Sequence, residues 1–474
     1  MTDTASTPLP VHADGPEGPY REIVDGLRAE FRAGRTRSMA WRRAQLEGLL
    51  AMLNDHEDDF VRALQEDLGR PVLEAFTADV GASKQEIAHT LKHMERWAKP
   101  RRAGVPLTGL PGRARVVPEP LGVALVIAPW NYPIQLLLLP MAAALAAGNC
   151  VVAKPSEVSP ACSAVLARLI PRYLDDKAVV VIEGGVPETT AILEQRFDHI
   201  FYTGSTDVGR VVMRAAAEHL TPVTLELGGK SPTIVAADAD LDVAAHRIVW
   251  GKTLNAGQTC VANDYLLVEA SVRDVLVDKM TAVIGEYFGA DPQRSDSFGR
   301  IVNERHLARL TGLLEGHGGT IVTGGTADVE DRYLAPTIVV DPDVDSPLMM
   351  QEIFGPVLPV ISVESVDDAI DFVNDRPKPL ALYVYSRSKE TVERVLGQTS
   401  SGGACVNHGI VHLIVPDLPF GGVGPSGMGA YHGQTGFDTF SHLKSVLEKP
   451  TKPDPPLLYA PYSSWKEKLI RKVL

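Results

Sequence analysis

Two stretches, Gly257-Gln258-Thr259-Cys260 and Leu225-Glu226-Leu227-Gly228-Gly229-Lys230, carry the side chains best suited to covalent chemistry on a carbonyl compound. Cys260 stands in a polar, Gly-flanked loop, and Glu226 closes an apolar run 34 positions earlier. A thiolate attacks a carbonyl carbon and can hold the product as a thioester. A carboxylate can then activate the water that cleaves it. Cys260 by itself is ambiguous, because a free cysteine more often simply packs as a small hydrophobe.

The elements that must hold these residues read as two alternating units. Residues Glu22 to Trp97 have the apolar spacing of two or three amphipathic helices, and Lys99 to Pro120 breaks it with Pro and Gly. From Leu121 short apolar strands alternate with helices: strands near Gly122–Ile127, Cys150–Ala153, Ala178–Ile182, His199–Tyr202 and Val223–Leu227, helices near Ile134–Ala147, Pro160–Tyr173, Glu188–Gln195 and Asp207–His219. Strand, helix and strand in succession imply right-handed crossovers and a parallel sheet. A second such unit follows, with strands near Thr233–Ala236, Leu266–Val268, Thr337–Val340, Val357–Ile361 and Leu382–Tyr385. It carries Cys260, and a site between two α/β domains is a favoured place for catalysis.

The 474 residues exceed one hydrophobic core, so two or three domains are expected. A net charge of −13 argues against nucleic acid or an anionic membrane as the main partner. Four scattered cysteines, Cys150, Cys162, Cys260 and Cys405, make no disulfide framework and no Cys-x-x-Cys metal pair. A reduced, cytoplasmic setting is expected. The Pro/Gly-rich start, residues 1–18, lacks the basic and apolar regions of a signal peptide and reads as a flexible tail. The apolar run Ile134 to Ala147 is shorter than the roughly 20 residues that span a bilayer.

Each further motif has a plain structural reading beside its functional one. Gly204-Ser205-Thr206-Asp207-Val208-Gly209 follows a strand and opens a helix, where free N–H groups suit a phosphate; it is also an ordinary turn. A literal Gly-x-Gly-x-x-Gly at Gly422, Gly424 and Gly427 follows no crossover strand and is read as a tight structural loop. Lys154-Pro155-Ser156-Glu157 ends a strand and could bond a ribose, or form a surface ion pair. Asn131, in Pro129-Trp130-Asn131-Tyr132-Pro133, could donate to a developing oxyanion or cap the next helix.

Taken together, over roughly Arg21 to Lys449, these motifs resemble the aldehyde dehydrogenase superfamily. Glu352-Ile353-Phe354-Gly355-Pro356 and Pro419-Phe420-Gly421-Gly422 complete the ordered set. Gly185-Val186-Pro187-Glu188-Thr189-Thr190, Phe197-Asp198-His199-Ile200 and Tyr431-His432-Gly433 are similar to the class 3 branch of fatty and aromatic aldehyde dehydrogenases, with coniferyl-aldehyde dehydrogenases as relatives. The resemblance implies two doubly wound α/β domains plus a small β oligomerisation arm. It assigns residues 19–98 and 122–227 to an NAD(P)-binding domain and 228–424 to a catalytic domain. The segments 99–121 and 425–450 become bridging and oligomerisation segments, and 451–474 a C-terminal tail.

By the same resemblance Cys260 is the nucleophile, Asn131 and the Cys260 N–H form the oxyanion hole, and Glu226 is the base. Lys154 and Glu157 hold the adenosine ribose, and Glu352 the nicotinamide ribose. Phe354 and Trp130 flank the cofactor, and Gly204, Ser205 and Gly209 meet its pyrophosphate. Tyr132, Trp250, His408 and Ile410 border the substrate tunnel. The implied activity is oxidation of a medium- or long-chain aliphatic or an aromatic aldehyde to the acid with NAD⁺, NADP⁺ being admitted; Glu157 favours NAD⁺ by repelling a 2′-phosphate. Gln351 replaces the first Glu of the usual Glu-Glu-Ile-Phe-Gly-Pro, and Asn263 stands where the branch often has Pro. A CoA-acylating enzyme and a non-catalytic structural protein on this fold are the alternatives. A homodimer paired through the arms is expected. So is a tail helix with an apolar stripe at Trp465, Leu469 and Val473, docked on the dimer rather than in weak peripheral contact with a membrane.

Overall fold

Val123–Ile127 and Cys150–Lys154 are apolar up to a final lysine, and every residue in them is buried. Strands of that kind need cover on both faces, which helices provide around a parallel sheet. The computed structural model describes residues 18–454 and 456–473. Its first sheet has six strands in the order Gly427–Met428, Val223–Leu227, His199–Gly204, Val123–Ile127, Cys150–Lys154, Val179–Val181. All pair in parallel except the short Gly427–Met428 edge. The helix Gln135–Ala147 is apolar all round and buried along almost its whole length. It stops at Gly148, whose φ of 97° favours glycine and where a Cβ would meet the Arg42 guanidinium at 2.6 Å.

The second sheet has seven strands in the order Thr320–Thr323, Thr337–Val340, Val357–Val363, Tyr265–Glu269, Pro232–Val235, Ala381–Tyr385, Gly403–Val406. Two of these escape the sequence reading. Thr320–Thr323 is a mostly exposed antiparallel edge with no apolar face, and Gly403–Val406 is half small residues. A three-stranded antiparallel sheet, Arg101–Ala103, Arg113–Pro120 and Ser441–Glu448, stands apart from both. Within 425–450 only Ser441–Glu448 belongs to this arm. Gly427–Met428 lies on the first sheet, and the helix Gly433–Thr439 packs against Ala82–Trp97 and Gln135–Ala147.

The N-terminal helices are more numerous than the periodicity indicates: Pro19–Arg32, Met39–Asp55, Glu57–Leu68, then Val72–Ala75 running through a π-turn, Phe76–Gly81, into Ala82–Trp97. A π-turn rotates the following side chains out of helical phase, which hides the stripe from a 3.6-residue count and often marks a functional site. The tail forms the helix Ser464–Val473. Trp465 and Leu469 are exposed on this chain, and Lys466 is buried, donating to the carbonyls of Tyr459 and Pro461 at 2.8 and 3.1 Å. The expected tail at 1–18 falls, but for Gly18, outside the described residues, as does the side chain of Val473. Among the described residues no helix is long and apolar enough to cross a membrane.

Candidate active site

The parallel strands of the first sheet end side by side at Ile127, Lys154, Gly204 and Leu227. The strand order reverses at Val123–Ile127, with Cys150–Lys154 on one side and His199–Gly204 on the other. Ligands of open α/β sheets bind at the carboxyl edge of that switch point. Trp130 and Asn131 follow the central strand, Lys154 ends one neighbour, Gly204 ends the other, and Ser205 caps the next helix by accepting from the Val208 N–H at 3.5 Å. Gly209 serves close packing: a Cβ there would meet the Leu227 side chain at 2.7 Å. It brings the helix Thr206–Glu218 onto the sheet, with its N-terminus at the crevice.

Cys260 is carried by a strained loop. After the helix Leu241–Thr253 the chain turns through Asn255, Ala256 and Gly257 with φ of 53°, 50° and 76°. A Cβ at Gly257 would stand 2.2 Å from the Gly355 carbonyl, so the loop is pressed onto Glu352-Ile353-Phe354-Gly355-Pro356. Gln258 is fully buried; its amide donates to the carbonyls of Asn255 and Arg300 at 3.0 and 2.9 Å and accepts from the Val302 N–H at 2.9 Å. Asn131 is buried and spends one amide N–H on the Gln258 carbonyl at 3.0 Å. An amide has two such hydrogens, so the other remains for a ligand oxygen.

Sequence reading missed what holds this arrangement from below. Arg70, buried, donates to the Asn131 carbonyl, to Asn255 Oδ1 at 3.2 Å and to Asp79 Oδ2 at 3.1 Å. Asp79 also accepts from the Gln135 N–H, fixing the start of the buried helix. One guanidinium thus ties the Asn131 segment, the nucleophile loop and the π-turn together. No motif flags it, since its partners come from three separate segments.

Cys260 is half-buried and opens onto a cavity of about 530 Å³. Tyr132, Leu136, Leu139, Trp250, Ile410 and Tyr431 form much of its largely apolar wall. Tyr132 is locked by a 2.7 Å bond to Thr259. His408 packs edge-on behind the wall residue Trp250 with centroids 5.6 Å apart, while Ile410, at φ 66°, and Val411, Leu413 and Ile414 face the cavity. Phe354 lies edge-on to Trp130 at 5.3 Å, and Trp130 in turn meets His306 at 4.9 Å.

Burial dominates the electrostatics. It pushes the Cys260 thiol up to about 12, with the nearby Glu352 and Glu226 carboxyls adding to the effect. Glu352 is raised to about 8 by burial and by Asp264, against the Gly229 N–H, Lys230 and Arg309. Glu226 is 2% exposed, neither carboxyl oxygen has a hydrogen-bond partner, and burial lifts it well above the carboxylate range. An orphaned buried carboxyl is costly, and it points to a group that arrives with substrate or cofactor. The residues fit a nicotinamide dinucleotide. Lys154 is buried, with its ammonium held by the Pro155 carbonyl at 2.8 Å and by Glu157 at 3.6 Å. Glu157 itself is half-exposed at the rim. The missing side chain of Gly228 makes room for the Glu352 carboxyl, which a Cβ would meet at 2.0 Å.

A crevice at the carboxyl edge of one α/β sheet, facing a half-buried thiol carried by the other domain near an orphaned carboxyl, is the arrangement a cysteine-dependent dehydrogenase needs. The comparisons agree. The model of the aldehyde dehydrogenase family matches residues 11–446. The chain is 49% identical over 428 residues to the rat "Aldehyde dehydrogenase, dimeric NADP-preferring", spanning 90% of this chain and 94% of that one. It is 50% identical over 426 residues to mouse "Aldehyde dehydrogenase family 3 member A2", spanning 90% and 88%. The substrate-bound Staphylococcus aureus AldH superposes with a TM-score of 0.93 at 42% identity, over 96% of this chain and 99% of that one. The chain belongs to the aldehyde dehydrogenase family. It is an enzyme that oxidises aldehydes with NAD(P)⁺.

Proposed function

We propose that Cys260, Asn131 and Glu226 carry this oxidation, and the observation that supports it most is the partnerless Glu226 carboxyl beside the Cys260 cavity. The Cys260 proton passes to the nearby Glu226 carboxylate and on to solvent, and the sulfur bonds to the aldehyde carbon. The free Asn131 amide hydrogen and the Cys260 N–H receive the oxyanion, which preorganised donors stabilise without further reorganisation. The bound nicotinamide supplies the hydride acceptor. Trp130 and Phe354 orient it and exclude water from its face. The thioester left on Cys260 is cleaved when Glu226 takes a proton from water, and the acid departs with the thiolate regenerated. Burial raises the Glu226 pKa, and a carboxylate with a raised pKa is the stronger base once ionised. Hydrolysis needs Glu226, whereas transfer to CoA does not, so the free acid is the product.

Lys154 and Glu157 hold the adenosine ribose, Glu352 the nicotinamide ribose, and the N-terminus of Thr206–Glu218 the pyrophosphate. Glu157 repels a 2′-phosphate, but its exposed side chain can swing away, so both cofactors are accepted. The apolar wall suits medium- and long-chain or aromatic aldehydes, in the reducing cytoplasm that keeps four cysteines free. Two copies pair through the arm sheets.

Cys260→Ala should abolish NADH formation from hexanal while a fluorescence titration still shows cofactor binding. Turnover retained in that variant would remove Cys260 from the mechanism. In the same assay Glu157→Gln should raise the NADP⁺ to NAD⁺ ratio of kcat/KM severalfold. An unchanged ratio puts Glu157 outside the ribose site.

A further inference from the structure

The charged side chains in the wall of the Cys260 cavity are of one sign. Glu74 and Glu86 line it, and no lysine or arginine does. Both lie on the Val72–Trp97 helical run, on opposite sides of the π-turn that brings them to the same cavity.

Neither carboxyl meets a cation exposed in the wall, and burial raises the pKa of both. Glu86 Oε1 accepts from the Gly433 N–H at 2.8 Å, and among the described residues no cation pairs with it. The nearest lysine in sequence, Lys84, is turned away to Glu57. The neighbour that acts on Glu86 electrostatically is another acid, Asp417. Glu74 accepts from the Asn255 N–H at 2.8 Å and shares Arg70, 3.6 Å away, with the fully buried Asp79. Arg70 is sealed under Tyr132, its guanidinium 4.5 Å from that ring, so it shows no positive face to the cavity. A half-buried carboxyl with no cation of its own gains most from a cation that a ligand brings. It repels an anion strongly in an apolar wall that screens little.

From this geometry we propose that Glu74 and Glu86 make the tunnel a charge filter: it rejects aldehydes bearing a second, anionic group along the chain and accepts those bearing a cationic one. The inference rests on Cys260 acting at the end of this cavity. It divides the apolar aldehyde class by the charge at the far end of the chain.

The test uses the full-length enzyme and three six-carbon straight-chain aldehydes ending in methyl, carboxylate or trimethylammonium. With wild-type protein kcat/KM for the carboxylate should fall at least tenfold below the methyl-ended aldehyde, with the trimethylammonium compound at or above it. Glu86→Gln keeps the oxygen that accepts from Gly433 but removes the charge. It should narrow the cation-to-anion ratio about tenfold, and narrow it less at high salt. Glu390→Gln, at an exposed acid on the other domain and outside the cavity, should leave the ratio where it was. Equal effects of the two substitutions would mean general steering by the −13 net charge and would overturn the filter. Turnover of the methyl-ended aldehyde through Cys260 with no charge discrimination sinks this inference alone. Failure to oxidise that aldehyde removes the mechanism and the filter together.

Discussion

Glu226, the proposed base, links the chemistry of the site to the stability of the fold. Its folded pKa lies above the unfolded value, so the folded state holds a proton that the unfolded chain releases once pH exceeds the ordinary carboxylate range. Folding stability therefore falls as pH rises from that range toward the raised value, by at most about 1.4 kcal/mol per pH unit for one proton. Glu226→Gln has the same shape and no proton to lose. Its Tm should match wild type below the ordinary carboxylate range and exceed it as pH rises through and above that range, measured by thermal denaturation. Without the base, thioester hydrolysis should slow more than hydride transfer, so a pre-steady-state burst of NADH should grow relative to the steady rate. Parallel loss of burst and steady state, with no pH-dependent gain in Tm, would leave Glu226 a packing residue.

At the level of elements, the site depends on segments that are not regular. The positive-φ turn at Asn255–Gly257 costs backbone strain, which persists only where the surroundings over-determine it. Arg70 is the residue that does so. Its three donors reach Asn131, Asn255 and Asp79, from segments far apart in sequence. A lysine keeps the charge but offers one compact ammonium in place of a planar fork. Arg70→Lys should therefore lower kcat about ten- to a hundredfold through misplacement of the oxyanion donor, with cofactor affinity little changed. It should also lower stability, because Asp79 is wholly buried beside it. Steady-state kinetics with a cofactor titration decide this: wild-type kcat would show that the loop holds Cys260 and Asn131 unaided.

For the whole molecule, the three-stranded arm is the feature one chain does not explain. Ser441–Glu448 pairs with Arg113–Pro120 on one side only, and Leu443 and Leu447 are 41% and 56% exposed along it. A free strand edge with exposed apolar residues invites a second chain. Replacing both leucines by Asp should convert the expected dimer to monomer at micromolar concentration, read by light scattering. A monomer before substitution, or a dimer after it, would place the contact elsewhere. The tail helix belongs to the same question, since Trp465 and Leu469 have no cover on their own chain.

The order of motifs singles out Cys260, Glu226, Asn131 and the crevice residues as the candidates. Strands buried on both faces betray themselves as continuous apolar runs, and Val223–Leu227 and Thr337–Val340 have the bounds those runs indicate. The Gly422–Gly427 stretch is a tight loop, as its flanks imply: Gly424 bridges Gly427, which pairs with Glu226 itself. What no local pattern carries is contact between distant segments. The Arg70 network joins residues from position 70 to 255, and the π-turn shifts Glu74 and Glu86 onto a common cavity. His408 and Ile410 stand two positions apart, yet Ile410 lines the cavity while His408 packs behind Trp250. Residue types and their order determine which chemistry is available. Tertiary packing alone decides which of those groups are desolvated and left unpaired, because desolvation is a property of the neighbours that folding brings together.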